Sequence, residues 1–254
     1  MSNLDSFVTS SRPPPKSLAT SQEIRDRGST FLGHVFSAAS PEEARRAVRH
    51  LKHVTHGNRP ASHEIAAWRC MVLKAGKTGL GGPDDFEVVS GYDDDEEQYA
   101  GGRVMKVMQA EGVIDAVVVV SRWYGGEMLG PVRFDHIEMC TREVCRTFRL
   151  KDDMATSVAT LTSLDDILAS LRAELASLSA SKPPAEAEGL QAGAEGDAVA
   201  GVAAVPAGKK PRPSYTALEE SLDVTKARRL ITARENSIRS TKVALEKARA
   251  TQGT

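Results

Sequence analysis

Four consecutive valines, Val117–Val120, stand in the stretch "VIDAVVVVSRWYGG" at 113–126. Successive side chains of a strand point to opposite faces, so a strand with one wet face alternates apolar and polar residues. This run does not alternate. Such a strand is usually central and covered on both sides, or covered by helices on one side and by a partner on the other.

The elements around it read as β-α-β-β-α-β-α over 29–150. "STFLGHVF" (29–36) is rich in aromatic and branched residues and reads as a strand. Ser40, Pro41 and Glu43 form a helix-start signature, followed by Ala44, Ala47, Val48 and Leu51 at helical spacing. "THGNRPAS" is loop material. "EIAAWRCMVL" (64–73) and "FEVVSGY" (86–92) read as an antiparallel hairpin joined by a Gly-rich turn. Val104, Val107 and Met108 lie on one face of a further helix with Gly112 as its stop. Pro131 opens a helix whose inward stripe is Phe134, Ile137, Cys140 or Thr141, Val144 and Phe148. This order predicts a compact α/β domain.

Outside it the composition changes. Residues 1–28 carry Pro13, Pro14 and Pro15 but no apolar signal core, and are expected to be a disordered tail. Leu161, Leu164, Leu168, Leu171, Leu175 and Leu178 are spaced 3-4-3-4-3 within 151–180, the pattern of a helix seam that recruits a second helix or a second copy. Residues 181–215 read as a flexible linker. A helix over 216–254 follows, with Val224, Ile231, Ile238 and Leu245 seven apart and a half-polar companion column of Ala227, Arg234 and Thr241. The chain's net charge is −1, yet Lys209–Ala250 holds 11 Lys/Arg against 5 Asp/Glu. That basic end could touch RNA through its phosphates. Three cysteines, Cys70, Cys140 and Cys145, make neither a disulfide framework nor a zinc cluster and fit a reducing compartment. No apolar run approaches the ~20 residues of a membrane helix.

Chemistry concentrates where the valine strand ends. Ser121-Arg122-Trp123-Tyr124-Gly125-Gly126 admits three functional readings beside plain core packing. Backbone amides with Arg122 could hold a phosphate. Trp123 or Tyr124 could stack a base while Arg122 and Arg133 hold the backbone. Aromatics and arginine could anchor a protein partner. The spacing is neither a Walker A loop nor a dinucleotide fingerprint. The acidic run Asp93–Glu97 could hold Mg²⁺ or supply a general base. It could also simply favour the positive end of the next helix. His56 and His63 stand at no metal spacing, and no nucleophile motif appears.

"VVVVSRWYGGEMLGPVRFDHI", with "DDEEQYAGGRV", "VTHGN" and "FLGHV", resembles the Impact family over roughly 29–150. The resemblance implies a two-layer α/β sandwich of the ribosomal protein S5 domain 2 type. It implies that Asp94, Asp95, Glu97, Ala100, Gly101 and Gly102 face Arg122, Trp123, Tyr124, Gly125 and Gly126. It matches Thr55 and His56 to the family's Thr-His pair. Family members read Asp-Asp-Gly-Glu where this chain has Glu96 in place of the glycine, so a reshaped loop is expected. Eukaryotic relatives carry an RWD domain that matters for binding the ribosome-associated activator of the starvation-responsive initiation-factor kinase. About 28 residues precede the domain here, and a form lacking RWD is expected. The leading expectation is a cytoplasmic, non-enzymatic binding protein of translational control without cofactor or metal. Its partners would be a protein of the translation machinery, the kinase activator, or RNA. The alternatives are a metal- or acid-assisted hydrolase between Asp94/Asp95/Glu97 and Arg122, and an oligomerisation module on the leucine seam.

Overall fold

The valine strand is β6 (Ala116–Trp123), and it sits in the middle of the sheet. The computed structural model describes residues 13–180 and 213–252. The sheet is built from β1 (Ala19–Thr20), β2 (Ile24–Asp26), β3 (Ser29–Ser37), β4 (His63–Leu73), β5 (Phe86–Asp93) and β6 in the order β1-β3-β6-β4-β5, with β2 also pairing β3. Every pairing is antiparallel.

The helices explain why β6 has no polar face. Val118 and Val120 pack with Phe31, Val35, Ile65 and Ala67 beneath α2 (Ala100–Ala110) and the first part of α3 (Val132–Ala180). Val117 and Val119 pack with Phe36, Ala66, Trp68 and Cys70 beneath α1 (Pro41–His50). All four valines are fully buried, each stabilising by about 1.5–3 kcal/mol relative to exposure. The α/β class is the expected one, but the two-layer expectation is corrected: α1 covers the face opposite α2 and α3, because Val117 and Val119 are as apolar as Val118 and Val120 and need cover of their own. Gly33 lets α3 lie close on β3, since a Cβ there would be 3.1 Å from the Cys140 carbonyl oxygen.

The caps follow the sequence closely. Ser40 Oγ accepts the Glu43 amide at 3.2 Å, while Glu43 reaches back to the Ala39 amide at 2.9 Å. α1 then runs into a π-helical turn, Leu51–Thr55, that delivers His56. Two features depart from expectation. β1 and β2 lie inside 1–28, because Ser21 ties this segment to β3: its hydroxyl accepts the Gly33 amide at 2.8 Å. And α3 continues past Leu150 without a break, since 149–156 holds no glycine or proline.

The chain divides into two compact units between Leu150 and Lys151. In the second, Leu161 and Met154 bury against Leu218 and Ala227, with Leu230 and Ile231 alongside. The expected final helix is two, α4 (Thr216–Ser221) and α5 (Val224–Gln252). Leu222 in a left-handed conformation parts them, and Asp223 caps the second through the Lys226 amide at 2.9 Å. Arg234, the polar interruption of the seam, donates to Asp165 at 2.5 Å, and the Tyr215 hydroxyl donates to the same carboxylate. The chain's own residues cover the leucine seam at Leu161 and Leu168, both buried, while Leu164, Leu171, Leu175 and Leu178 are half-buried. The linker expected at 181–215 lies outside the described residues up to 212.

Candidate functional site

The C-terminal end of β6, the start of β4 and the segment after β5 meet at one end of the sheet. Strand alternation divides their polar side chains between the two faces. Arg122 pairs with His63 in register, and Ser121 with Glu64. Arg122 and His63 therefore turn toward α2 and α3, while Ser121 and Glu64 turn toward α1.

On the first face, Glu97 is the centre. It is 6% exposed and accepts from the Arg122 guanidinium, itself 5% exposed, and from Arg133 Nε at 2.6 Å. Arg133 also donates to the Gly130 carbonyl at 2.7 Å, which fixes the turn entering α3. His63 Nε2 lies 3.7 Å from the same carboxylate, and its Nδ1 is 2.9 Å from the Asp95 carbonyl oxygen. The Arg122 guanidinium also lies over the Phe31 ring at 5.4 Å and the Tyr124 ring at 5.7 Å. Its Nε is buried without a hydrogen-bond partner.

On the second face, Glu64 is 2% exposed and divides its oxygens between His56 Nδ1, at 2.7 Å, and the Ser121 hydroxyl. The carboxylate thus stands between serine and histidine, so the histidine is not placed to take the serine's proton. His56 meets the edge of Trp123 at 5.0 Å and of His34 at 5.6 Å between centroids. Burial, with His56 next to it, pushes the His34 imidazole down to about 4.

Asp95 links the two faces. Its carboxylate takes the Glu64 amide at 2.7 Å and pairs with Lys52 Nζ at 2.8 Å, which raises the Lys52 ammonium above its usual range. Asp94 takes the Gly101 amide at 2.7 Å and the Tyr99 amide at 3.1 Å, so it caps α2. Only Glu97 of the expected acidic group reaches Arg122. The picture of Asp94 and Asp95 facing that arginine is corrected: the turn at 94–99 sends their side chains to α2 and to Lys52. Asp94, Asp95 and Glu97 each spend carboxylate oxygens on protein donors, so binding Mg²⁺ through them would require breaking those bonds. Among the described residues no cluster of His, Cys, Asp and Glu is arranged to hold a metal.

The junction itself is built as a turn. The Tyr124 amide donates to Ser62 Oγ at 3.0 Å and the Gly125 amide to Ser29 Oγ at 3.2 Å, so two of the amides expected for a phosphate are taken. A Cβ on Gly125 would lie 2.0 Å from the Gly28 carbonyl carbon, and Gly126 has φ +90°. Trp123 Nε1 donates to the Arg59 carbonyl at 3.1 Å, with the Arg59 guanidinium over its ring. Beyond that turn the chain is exposed from Tyr124 to Met128, Tyr124 by 46% and Met128 by 81%. Glu96 holds φ +71° at the position where glycine was expected, so the loop keeps a left-handed residue without a glycine.

The sequence does not single out Lys52, Glu64 or His34, whereas Ser121 and His63 stand out in it without their partners. The one available signal was Glu64, a carboxylate on the apolar face shared by Ala66 and Trp68. His56 and Trp123, from separate stretches, do come together.

Fold and site together define a class: an antiparallel α/β domain whose end carries interlocked, internally compensated charges beneath an exposed aromatic loop. Residues 27–145 match the Impact N-terminal domain. It is 36% identical over 121 residues to Protein IMPACT of Mus musculus and 35% identical over 123 residues to Protein IMPACT-B of Xenopus tropicalis. Each match covers 48% of this chain and 35% of the relative, so the chain spans about a third of the length of these curated relatives. Among solved structures, that of the two-domain translational regulator Yih1 is 32% identical, with 50% of this chain and 46% of that chain covered and a TM-score of 0.33. No helix among the described residues is long and apolar enough to cross a membrane.

Proposed function

We propose that this chain is a cytoplasmic, non-enzymatic regulatory protein of translational control, and that the loop Tyr124–Met128 is where a protein of the translation apparatus docks. One observation carries the reading. The charged groups at this end of the sheet are buried and paired with one another, whereas Tyr124 and Met128 above them are exposed. Buried paired charges set a rigid platform, and exposed tyrosine beside an apolar side chain is the composition of an interface hot spot. The relation to Protein IMPACT and Yih1 supports placing that interface in translation, with the activator of the starvation-responsive initiation-factor kinase as the finer candidate.

A second contact, to RNA, is supported by α5. Lys226, Arg228, Arg229, Arg239, Lys242 and Lys247 are exposed on it, against the exposed acids Glu235 and Glu246. Such a contact would weaken steeply with salt.

The test is co-sedimentation of the full chain with ribosomes from its own cells, with and without RNase, beside Tyr124→Ala/Met128→Ala. Wild type should sediment with ribosomes after RNase trimming of exposed RNA, and the variant should remain in the supernatant at unchanged thermal stability. Loss after RNase alone moves the contact to α5. Equal sedimentation of both proteins removes the loop from the account.

A further inference from the structure

β5 is the outermost strand on its side of the sheet. Antiparallel neighbours alternate between pairs that exchange both hydrogen bonds and pairs that exchange none. The Met71 amide donates to Asp115 Oδ1 at 2.7 Å, on the β6 side of β4, while the Lys74 amide donates to the Asp85 carbonyl at 2.9 Å. Met71 therefore turns its backbone away from β5, and its register partner Val88 exchanges no bond with it. By the same alternation Val88, Ser90 and Tyr92 direct their N–H and C=O groups off the open edge.

The side chains there are apolar and uncovered. Met71 lies across from Val88 and Leu73 from Phe86, all four on the face that α2 and α3 cover only farther along, at Ile65 and Ala67. Their exposures are 39%, 40%, 45% and 37%. Carboxylates mark the strand's two ends. Glu87 and Asp93 are exposed; Asp93 Oδ1 accepts the Asp95 amide at 3.0 Å, and neither side chain takes part in an ion pair among the described residues. The nearby cations are engaged: Lys77 lies 3.6 Å from Asp85, and Lys74 Nζ donates to the Asp84 carbonyl at 2.8 Å.

We infer that the β5 edge receives an extended peptide segment of a partner protein as an added strand, with apolar side chains at alternate positions and Lys or Arg near both ends. The open amides supply the pairing, the Met71–Leu73–Phe86–Val88 patch takes the apolar residues, and Glu87 and Asp93 select the cations. A second copy of the chain fits poorly. Pairing Ser90 with its own copy sets Glu87 against Asp93, and pairing Val89 with its own copy sets Asp93 against Asp85. Like charges directly opposite each other destabilise a strand pair. The surface lies about 25 Å along β4 from the Tyr124 end, at ~3.4 Å per residue, and does not depend on the translational reading.

The probe is a fluorescent heptapeptide, Lys-Val-Thr-Val-Thr-Val-Lys, titrated with the full chain, beside Glu-Val-Thr-Val-Thr-Val-Glu. Ser90→Pro removes an outward N–H, a change edge strands accept, and Ser90→Ala is its control. Saturable binding of the Lys-flanked peptide is expected, about tenfold weaker in Ser90→Pro than in Ser90→Ala. Slowed exchange of the Val88, Ser90 and Tyr92 amides should accompany it. If Ser90→Pro does not fold, Glu87→Lys/Asp93→Lys serves instead and should reverse the preference to the Glu-flanked peptide. No saturable binding, equal binding by Ser90→Pro, an unreversed charge preference, or amide protection that grows with protein concentration alone would each overturn the inference.

Discussion

At one end of β4, Glu64 is almost wholly buried with both oxygens engaged by His56 and Ser121. At the other end of the same strand, Met71 and Leu73 lie exposed in water. Between these two ends Ile65, Ala66, Ala67, Trp68 and Cys70 supply ordinary core, but the ends themselves reverse the usual distribution, with charge inside at one and apolar side chains outside at the other. The buried end is expensive to alter, since removing one partner strands a charge or a donor. The exposed end is cheap to alter, since little is packed on it. The difference separates the part of the domain that holds shape from a part that is free to be touched.

The largest effect should come from Glu97→Ala, which leaves Arg122 buried without its counter-charge. A loss of about 3–5 kcal/mol is expected by chemical denaturation. A loss below about 1 kcal/mol, the range of a surface pair, would erase the contrast between the two ends. Gly125→Ala comes next, because its Cβ would meet the Gly28 backbone, which has no flexible tip to yield. About 2–3 kcal/mol is expected, with the damage centred on the β2–β3 turn in an amide-exchange map.

His34 sharpens the comparison through pH. Its imidazole is neutral when folded down to about 4 but protonates near 6.5 when unfolded, so the unfolded state binds the extra proton. Stability contributed by the neutral ring is fully present above 6.5 and falls as pH drops toward 4. Its slope is about 1.4 kcal/mol per pH unit at most. His34→Phe should flatten that part of the stability–pH curve.

Glu96→Gly should stabilise by roughly 1 kcal/mol, because an L side chain at positive φ is relieved. A destabilisation would mean that the Glu96 side chain holds the loop. At the exposed end, Met71→Thr and Leu73→Thr should each change unfolding free energy by less than about 0.5 kcal/mol.

The sequence made the sheet legible because local patterns dominate there. Val117–Val120 demanded two covered faces, Ser40 through Glu43 set α1, and Gly112 marked the end of α2. The site was legible only in its parts. Asp93–Glu97 and Ser121–Gly126 stand out in a linear reading, but which carboxylate meets which cation depends on strand register and on the turn at 94–99. Glu64 and Lys52 are single residues with no motif around them, and their pairing arises from three segments distant in sequence. The seam after Leu150 showed the same limit. Its spacing demanded a partner helix, and only the fold identifies α5, with Arg234 meeting Asp165, as that partner.

The central claim is that Glu97 and Arg122 are committed to each other and leave the exposed loop to do the binding. A double-mutant cycle of unfolding free energies over Glu97→Gln and Arg122→Met tests it most directly. A coupling of about 2 kcal/mol or more is predicted for a buried, hydrogen-bonded pair. Additive losses, with coupling under about 0.5 kcal/mol, would mean that the two groups act independently and would return them to the pool of residues free for chemistry.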